Sequence, residues 1–123
     1  MSTRKKIMGV TAALLLAGTT LAAPAASAAT APVAPTGLHQ IGTAHGQAVY
    51  GWNAAPGAVS WYSIRLDGHQ VRRDIQRTRQ VQVYDLYLYG HAQRGHSYTL
   101  SIVAVDASGN HSAPGAGVVM TVA

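Results

Sequence analysis

Beyond residue 28, four carboxylates, six histidines and six arginines carry nearly all the chemical potential of this chain. Asp67, Asp74, Asp85 and Asp106 are its only acids. Glycoside hydrolysis needs two carboxyl groups facing each other across a cleft. Asp67 and Asp106 stand instead in turn-like sequence (Asp67-Gly68, and Asp106 to Asn110), where aspartate bonds local backbone. Ser108, His111 and Asp106 supply the residue types of an acyl-transfer triad. All three fall in one turn, with no nucleophile elbow around the serine. The expectation is a protein without catalytic activity.

His39, His45, His69, His91, His96 and His111 could offer imidazole to zinc, copper or nickel. No His-x-His and no helical i,i+4 pair forces them together, so no metal site and no cofactor are expected. Arg72, Arg73, Arg77 and Arg79 surround Asp74. Alternation through this segment reads as one edge strand, whose charges would discourage sheet-to-sheet pairing. The same arginines also form a candidate patch for an anionic partner, through charge-assisted contacts.

The elements that must position these residues are short strands. Turn signals at Gly42 to Gly46, Pro56-Gly57, Asp67-Gly68, Gly90, Gly95 and Gly109-Asn110 separate runs rich in Val, Ile, Tyr and Trp. That spacing predicts an all-β sandwich or barrel with little helix. Alternation assigns the faces. Ala48, Tyr50 and Trp52 share one side, as do Tyr62, Ile64 and Leu66, then Tyr98, Leu100, Ile102 and Ala104, then Val118, Met120 and Val122. The expected core is therefore Trp52, Tyr62, Ile64, Tyr98, Leu100 and Ile102. Trp61 falls on the opposite side from Tyr62. Val103 and Val105 fall outward too, which predicts an exposed apolar strip of Trp61, Val103 and Val105 with Arg65 at its margin. Such a strip is a candidate binding face.

Several residues together resemble a fibronectin type III domain from Pro35 to Val122. They are the opening Pro35-Thr36-Gly37-Leu38, Trp52, Tyr62 with Ile64, the Tyr98-x-Leu100-x-Ile102-x-Ala104 run, and the Asp106-Ala107-Ser108-Gly109-Asn110 turn with Ser112. The likeness is greatest to secreted bacterial, actinobacterial-like members. It implies an immunoglobulin-like sandwich of about seven antiparallel strands, and a tyrosine corner in which Tyr98 bonds back to the preceding loop. That topology would place Trp61 beside Val103 and Val105, and would bring His45, His69, His91 and His96 to one end. The family usually carries a leucine six positions before the tyrosine; here that residue is Ala92, with Leu86 and Leu88 further back. The connection through Tyr89–Ser97 is thus expected to be lengthened or repacked.

The N-terminus sets an expectation for location. Arg4, Lys5 and Lys6 precede an apolar, small-residue run from Ile7 to Ala23, followed by Pro24 and Ala26-Ser27-Ala28. This is the grammar of a secretory signal peptide over residues 1–28, followed by an Ala/Pro lead-in at 29–34 and one domain at 35–123. Removing Arg4, Lys5 and Lys6 reduces the net charge from +5 to +2, six arginines against four aspartates. That is too little to argue for a nucleic-acid binder. With no cysteine, the domain must hold by packing and hydrogen bonds alone.

The chain is therefore expected to be secreted, extracellular, monomeric and free of the membrane after cleavage. Its expected role is a non-catalytic interaction module for a protein or cell-surface partner. The alternative is an accessory domain of the kind that accompanies secreted chitinases and cellulases, linked to extracellular polysaccharide degradation.

Overall fold

The computed structural model describes residues 31–123. The expected signal segment lies outside the described residues, as do residues 29 and 30. Alternation and turn chemistry produce seven strands and one short helix among the described residues. In chain order these are β1 (His39–Ala44), β2 (Gln47–Gly51), β3 (Trp61–Leu66), β4 (His69–Asp74), β5 (Gln80–Gln82), α1 (Val83–Leu88), β6 (Ser97–Val105) and β7 (Val118–Thr121). They form two antiparallel sheets, ordered β1-β2-β5 and β4-β3-β6-β7. Of the sandwich and barrel that the spacing allows, this is the sandwich, with the seven strands and the strand order that the resemblance to fibronectin type III domains implies.

Two tight turns set the registers. His45-Gly46 joins β1 to β2, and Asp67-Gly68 joins β3 to β4; all four residues have positive φ. Two consecutive left-handed residues make the primed turn whose twist matches the strands it connects. The Asp67 carboxylate also accepts the Thr99 N–H at 2.8 Å, tying the β3–β4 turn to β6.

The inward faces meet as the alternation requires. Tyr62, Ile64 and Leu66 on β3 pack with Leu100, Ile102 and Ala104 on β6, Met120 and Val122, and Tyr50 and Trp52 from the other sheet. The Trp52 and Tyr62 rings meet edge to face at 5.6 Å between centroids. Buried in this core, the Tyr62 hydroxyl accepts the Ala55 N–H at 3.0 Å. Tyr98 is only half-buried. Its hydroxyl accepts the Gln93 N–H at 2.9 Å, the contact that a tyrosine corner makes.

The connection from β5 to β6 holds α1, which the periodicity did not predict. Val83 and Leu86 are fully buried on its inner side, and Ala92 is buried beyond it. The N–H groups of His91 and Ala92 both donate to the Leu86 carbonyl, at 2.8 and 3.2 Å. Leu86 and Ala92 are thus both buried in a connection that is repacked around α1.

The far end of the chain is also pinned. The Gln47 amide, buried on β2, donates to the Ala123 carbonyl at 2.9 Å and accepts the Ala123 N–H at 2.8 Å. A side chain here does what a neighbouring strand would do.

Candidate functional site

The outer face of the four-stranded sheet starts from one cross-strand row. Trp61 pairs with Val105, Ser63 with Val103, and Arg65 with Ser101; on the other side Arg73 pairs with Ser63. Side chains in register on one face lie within contact distance. The Arg73 guanidinium carbon sits 4.5 Å from the centroid of the Trp61 ring, and the His111 and Trp61 rings meet edge to face at 6.3 Å between centroids. Arg65 Nε donates to the Ser63 hydroxyl at 3.1 Å, and its Nη2 lies 3.4 Å from His111 Nδ1. Trp61 and Arg65 are half-buried, while Arg73 and His111 are exposed.

This arrangement corrects the expected apolar strip. Val103 is 1% exposed and Val105 fully buried, so neither offers surface to a partner. The cause is the length of the neighbouring side chains. Arg65 reaches from Ser63 on β3 to His111 beyond β6 and must cross Val103 on the way. Trp61 and His111 flank Val105, its register partners on the two sides. Long cationic side chains cover apolar surface with their stems and keep their charges in water. The accessible face is consequently cationic and aromatic: Trp61, Arg65, Arg73 and His111.

The arginine patch is also rearranged. The segment expected as one edge strand divides in two. β4 ends at Asp74, and the chain then crosses to the other sheet, where β5 begins at Gln80. Arg72 and Arg73 lie on the edge strand, on opposite faces; Arg77 and Arg79 lie in the crossing turn, both at positive φ (55° and 59°). Left-handed backbone strains a residue that carries a Cβ. The Asp74 carboxylate holds it there by accepting the Thr78 N–H (2.9 Å), the Thr78 hydroxyl (3.1 Å) and the Arg79 N–H (2.7 Å). Arg77 Nη1 donates to the Ser60 carbonyl at 3.0 Å, which fastens the turn to the neighbouring loop. The four guanidinium groups therefore do not form one patch. Arg73 joins the Trp61 face, Arg72 approaches Asp85 at 3.8 Å, and Arg77 braces the turn.

The β1–β2 turn, the β3–β4 turn and the start of β6 share one end of the sandwich, so His45, His69 and His96 lie there as the topology implies. His45 stacks on Tyr84 of α1 at 4.4 Å, and His96 lies 6.5 Å from the Tyr98 ring. Among the described residues, no three His, Cys, Asp or Glu side chains are placed to hold a metal ion. His111 faces Arg65 and Trp61, not Ser108 or Asp106. The Asp106 carboxylate is committed to its own turn, accepting the Ser108 N–H (3.0 Å), the Asn110 N–H (2.9 Å) and the Asn110 amide (3.1 Å). The Asn110 backbone and side-chain bonds hold its pKa below the ordinary 3.8, against the weaker pull of desolvation.

A depressed carboxyl pKa stabilises the fold above the unfolded-state value, and the contribution disappears as pH falls through the folded-state value. Asp106→Ala is therefore expected to lose stability at neutral pH and to flatten the acid limb below about pH 4, the range set by the carboxyl's ordinary pKa. Urea midpoints measured between pH 2 and pH 7 would show both effects.

Two features had no clear sequence signal. One is the aromatic run His45–Tyr84–Tyr87, ended by Arg94 with its guanidinium carbon 4.7 Å from the Tyr87 centroid; it depends on α1. The other is an open groove of about 450 Å³ between β4 and β5; it depends on the crossing turn.

No protein-family model matches the chain, and no curated protein matches it in sequence. Among solved structures, it is similar to the spore cortex lytic enzyme SleM of Clostridium perfringens. The TM-score is 0.58 at 16% identity, over 79% of this chain and 30% of that enzyme. A myokine structure aligns at TM-score 0.47 and 15% identity, over 74% of this chain and 97% of that one. At such identities the first likeness is one of fold. The chain spans under a third of the enzyme's length.

Proposed function

We propose that the chain is an exported, non-catalytic interaction module of the fibronectin type III family. It binds an extracellular protein that presents carboxylates to the outer face of the β4-β3-β6-β7 sheet. The observation that carries this reading is Trp61 held between Arg73 and His111, with Arg65 alongside. Tryptophan and arginine dominate the energetics of protein interfaces. Here the indole and guanidinium are stacked before any partner arrives, so less side-chain freedom is lost on binding.

Capture from culture supernatant with the immobilised chain tests the proposal. Trp61→Ala is expected to weaken the captured complex by about 30-fold or more, the scale of an interface hot spot. Arg73→Ala is expected to slow association and reduce its salt dependence. Unchanged binding of every enriched partner by both variants would exclude this face.

A second reading follows from the fold shared with part of a cortex lytic enzyme: an accessory domain that accompanies breakdown of an extracellular polysaccharide. Retention on chitin or cellulose, lost with Trp61→Ala, would favour it over the protein-binding reading.

A further inference from the structure

Each sheet ends in two edge strands, β1 and β5 in one and β4 and β7 in the other. Bulges, short length and charge are the usual guards of such edges against pairing. β1 carries a bulge between Gln40 and Gly42. β5 has three residues, and β4 presents Arg72, Arg73 and Asp74. β7 has neither bulge nor charge. It pairs with β6 in continuous register, and no charged side chain occurs from Ala113 to Ala123. The same ladder runs on through Val122, whose N–H reaches the His96 carbonyl at 3.0 Å.

The neighbouring bonds fix which backbone groups of β7 face outward. The Val122 carbonyl accepts the Gly95 N–H at 2.8 Å, so both backbone groups of Val122 turn towards β6. Across β6, the Thr99 N–H and carbonyl are both taken by Asp67, on the side away from β7. Thr99 and Val119 are therefore a non-hydrogen-bonded pair. Antiparallel ladders alternate, so Val118 and Met120 bond to β6, and the N–H and carbonyl groups of Val119 and Thr121 point off the edge. Ala123 belongs to the same outward series, and the Gln47 amide takes both of its groups. Among the described residues, no loop or side chain does this for Val119 or Thr121. Both residues are exposed, Val119 to 70%, the most of any large hydrophobic side chain described.

We infer that this edge is an interface for a second copy of the chain, the two β7 strands pairing antiparallel about Val119 and joining two four-stranded sheets into one. The strand is its own complement. With a dyad at Val119, that residue meets Val119 of the second copy and Thr121 meets Gly117, so the outward donors and acceptors answer one another. The two Val119 side chains become cross-strand neighbours on one face and cover each other. No charge opposes the approach. The same pairing through β4 would set Arg72 and Arg73 against arginines, which is unfavourable. The Gln47 bonds at Ala123 confine the pairing to Gly117–Thr121, so the dimer is weak and exchanging. Its dyad stands perpendicular to the joined sheet, and both Trp61 faces look the same way. A partner with repeated sites gains avidity from that arrangement, but the pairing does not depend on what the Trp61 face binds.

Sedimentation velocity of the purified chain from about 10 µM to about 1 mM tests the pairing, with a dimer Kd on the order of 100 µM expected for so small a contact. Hydrogen exchange of the Val119 and Thr121 amides should slow as the concentration rises, while exposed amides of β1 keep their rates. Val119→Lys sets like charges opposite each other, and Val119→Pro removes the outward donor without breaking a bond of the fold. Each should weaken the dimer by about tenfold or more. The urea midpoint of Val119→Lys should stay close to the parent's, because that side chain stands in water. Trp61→Ala should dimerise as the parent does. A monomer at every concentration overturns the proposal, as does exchange at Val119 and Thr121 that ignores concentration. A dimer that survives in the folded Val119 variants, or one lost with Trp61→Ala, places the contact elsewhere and overturns it equally.

Discussion

Replacing Trp52 with alanine is expected to lower the unfolding free energy by about 3–5 kcal/mol. Domains of this size have about 5–15 kcal/mol in total, and this one has no disulfide to limit the loss. The indole is buried on the inner face of the three-stranded sheet and packs edge-on against Tyr62 of the opposite sheet. Its removal opens a cavity between the two layers at the contact that joins them.

Trp52→Phe provides the informative contrast. The indole Nε1 is buried without a hydrogen-bond partner among the described residues. Phenylalanine discards that unpaired donor while retaining a ring, so its cost should stay below about 2 kcal/mol. Urea titrations followed by far-ultraviolet circular dichroism, which does not depend on the missing indole, would rank the two variants. Equal losses would mean that the ring contact with Tyr62 contributes little.

Asp74→Ala is expected to cost about 2–4 kcal/mol, since hydrogen bonds to a charged, buried acceptor are among the stronger ones. Three bonds end on this carboxylate, and they keep Arg77 and Arg79 in a backbone region that arginine rarely adopts. Without them the turn should relax, releasing the Arg79 carbonyl that accepts the Trp52 N–H at 3.3 Å. Asp74→Asn should be nearly as damaging, because one of its two terminal atoms becomes a donor facing donors. Loss of exchange protection at the Thr78 and Arg79 amides, measured by hydrogen exchange, identifies the cause. Retained protection in Asp74→Ala would show that the turn holds itself.

The core faces were readable because inward positions follow a period of two that no local feature interrupts. Tyr62, Ile64 and Leu66 fall inside as alternation requires, and so do Leu100, Ile102 and Ala104. Alternation gives the direction of a side chain but not what lies above it. Val103 and Val105 do point away from the core, and Arg65, Trp61 and His111 then cover them. The cationic character of the candidate face was hidden for that reason. Trp61 and Arg65 were legible as its members, whereas Arg73 and His111 join it only through pairing across strands far apart in sequence.

The arginine segment misled in another way. Its turn carries no glycine or proline between Asp74 and Gln80. The left-handed residues there are arginines, and the signal that allows them is a carboxylate whose role appears only once the chain has turned. Helix α1 has six residues, too few for a 3.6-residue period to stand out beside strand-like tyrosines and leucines.

The two bonds between Gln47 and residue 123 have a consequence for anything joined to this domain at that point. Both backbone groups of Ala123 are occupied, and Val122 before it is fully buried, with its N–H on the His96 carbonyl at 3.0 Å. The final residues therefore cannot serve as a swivel. A fused neighbour would leave the sandwich on a fixed bearing, and any freedom of orientation between the two would have to come from tether residues placed after position 123.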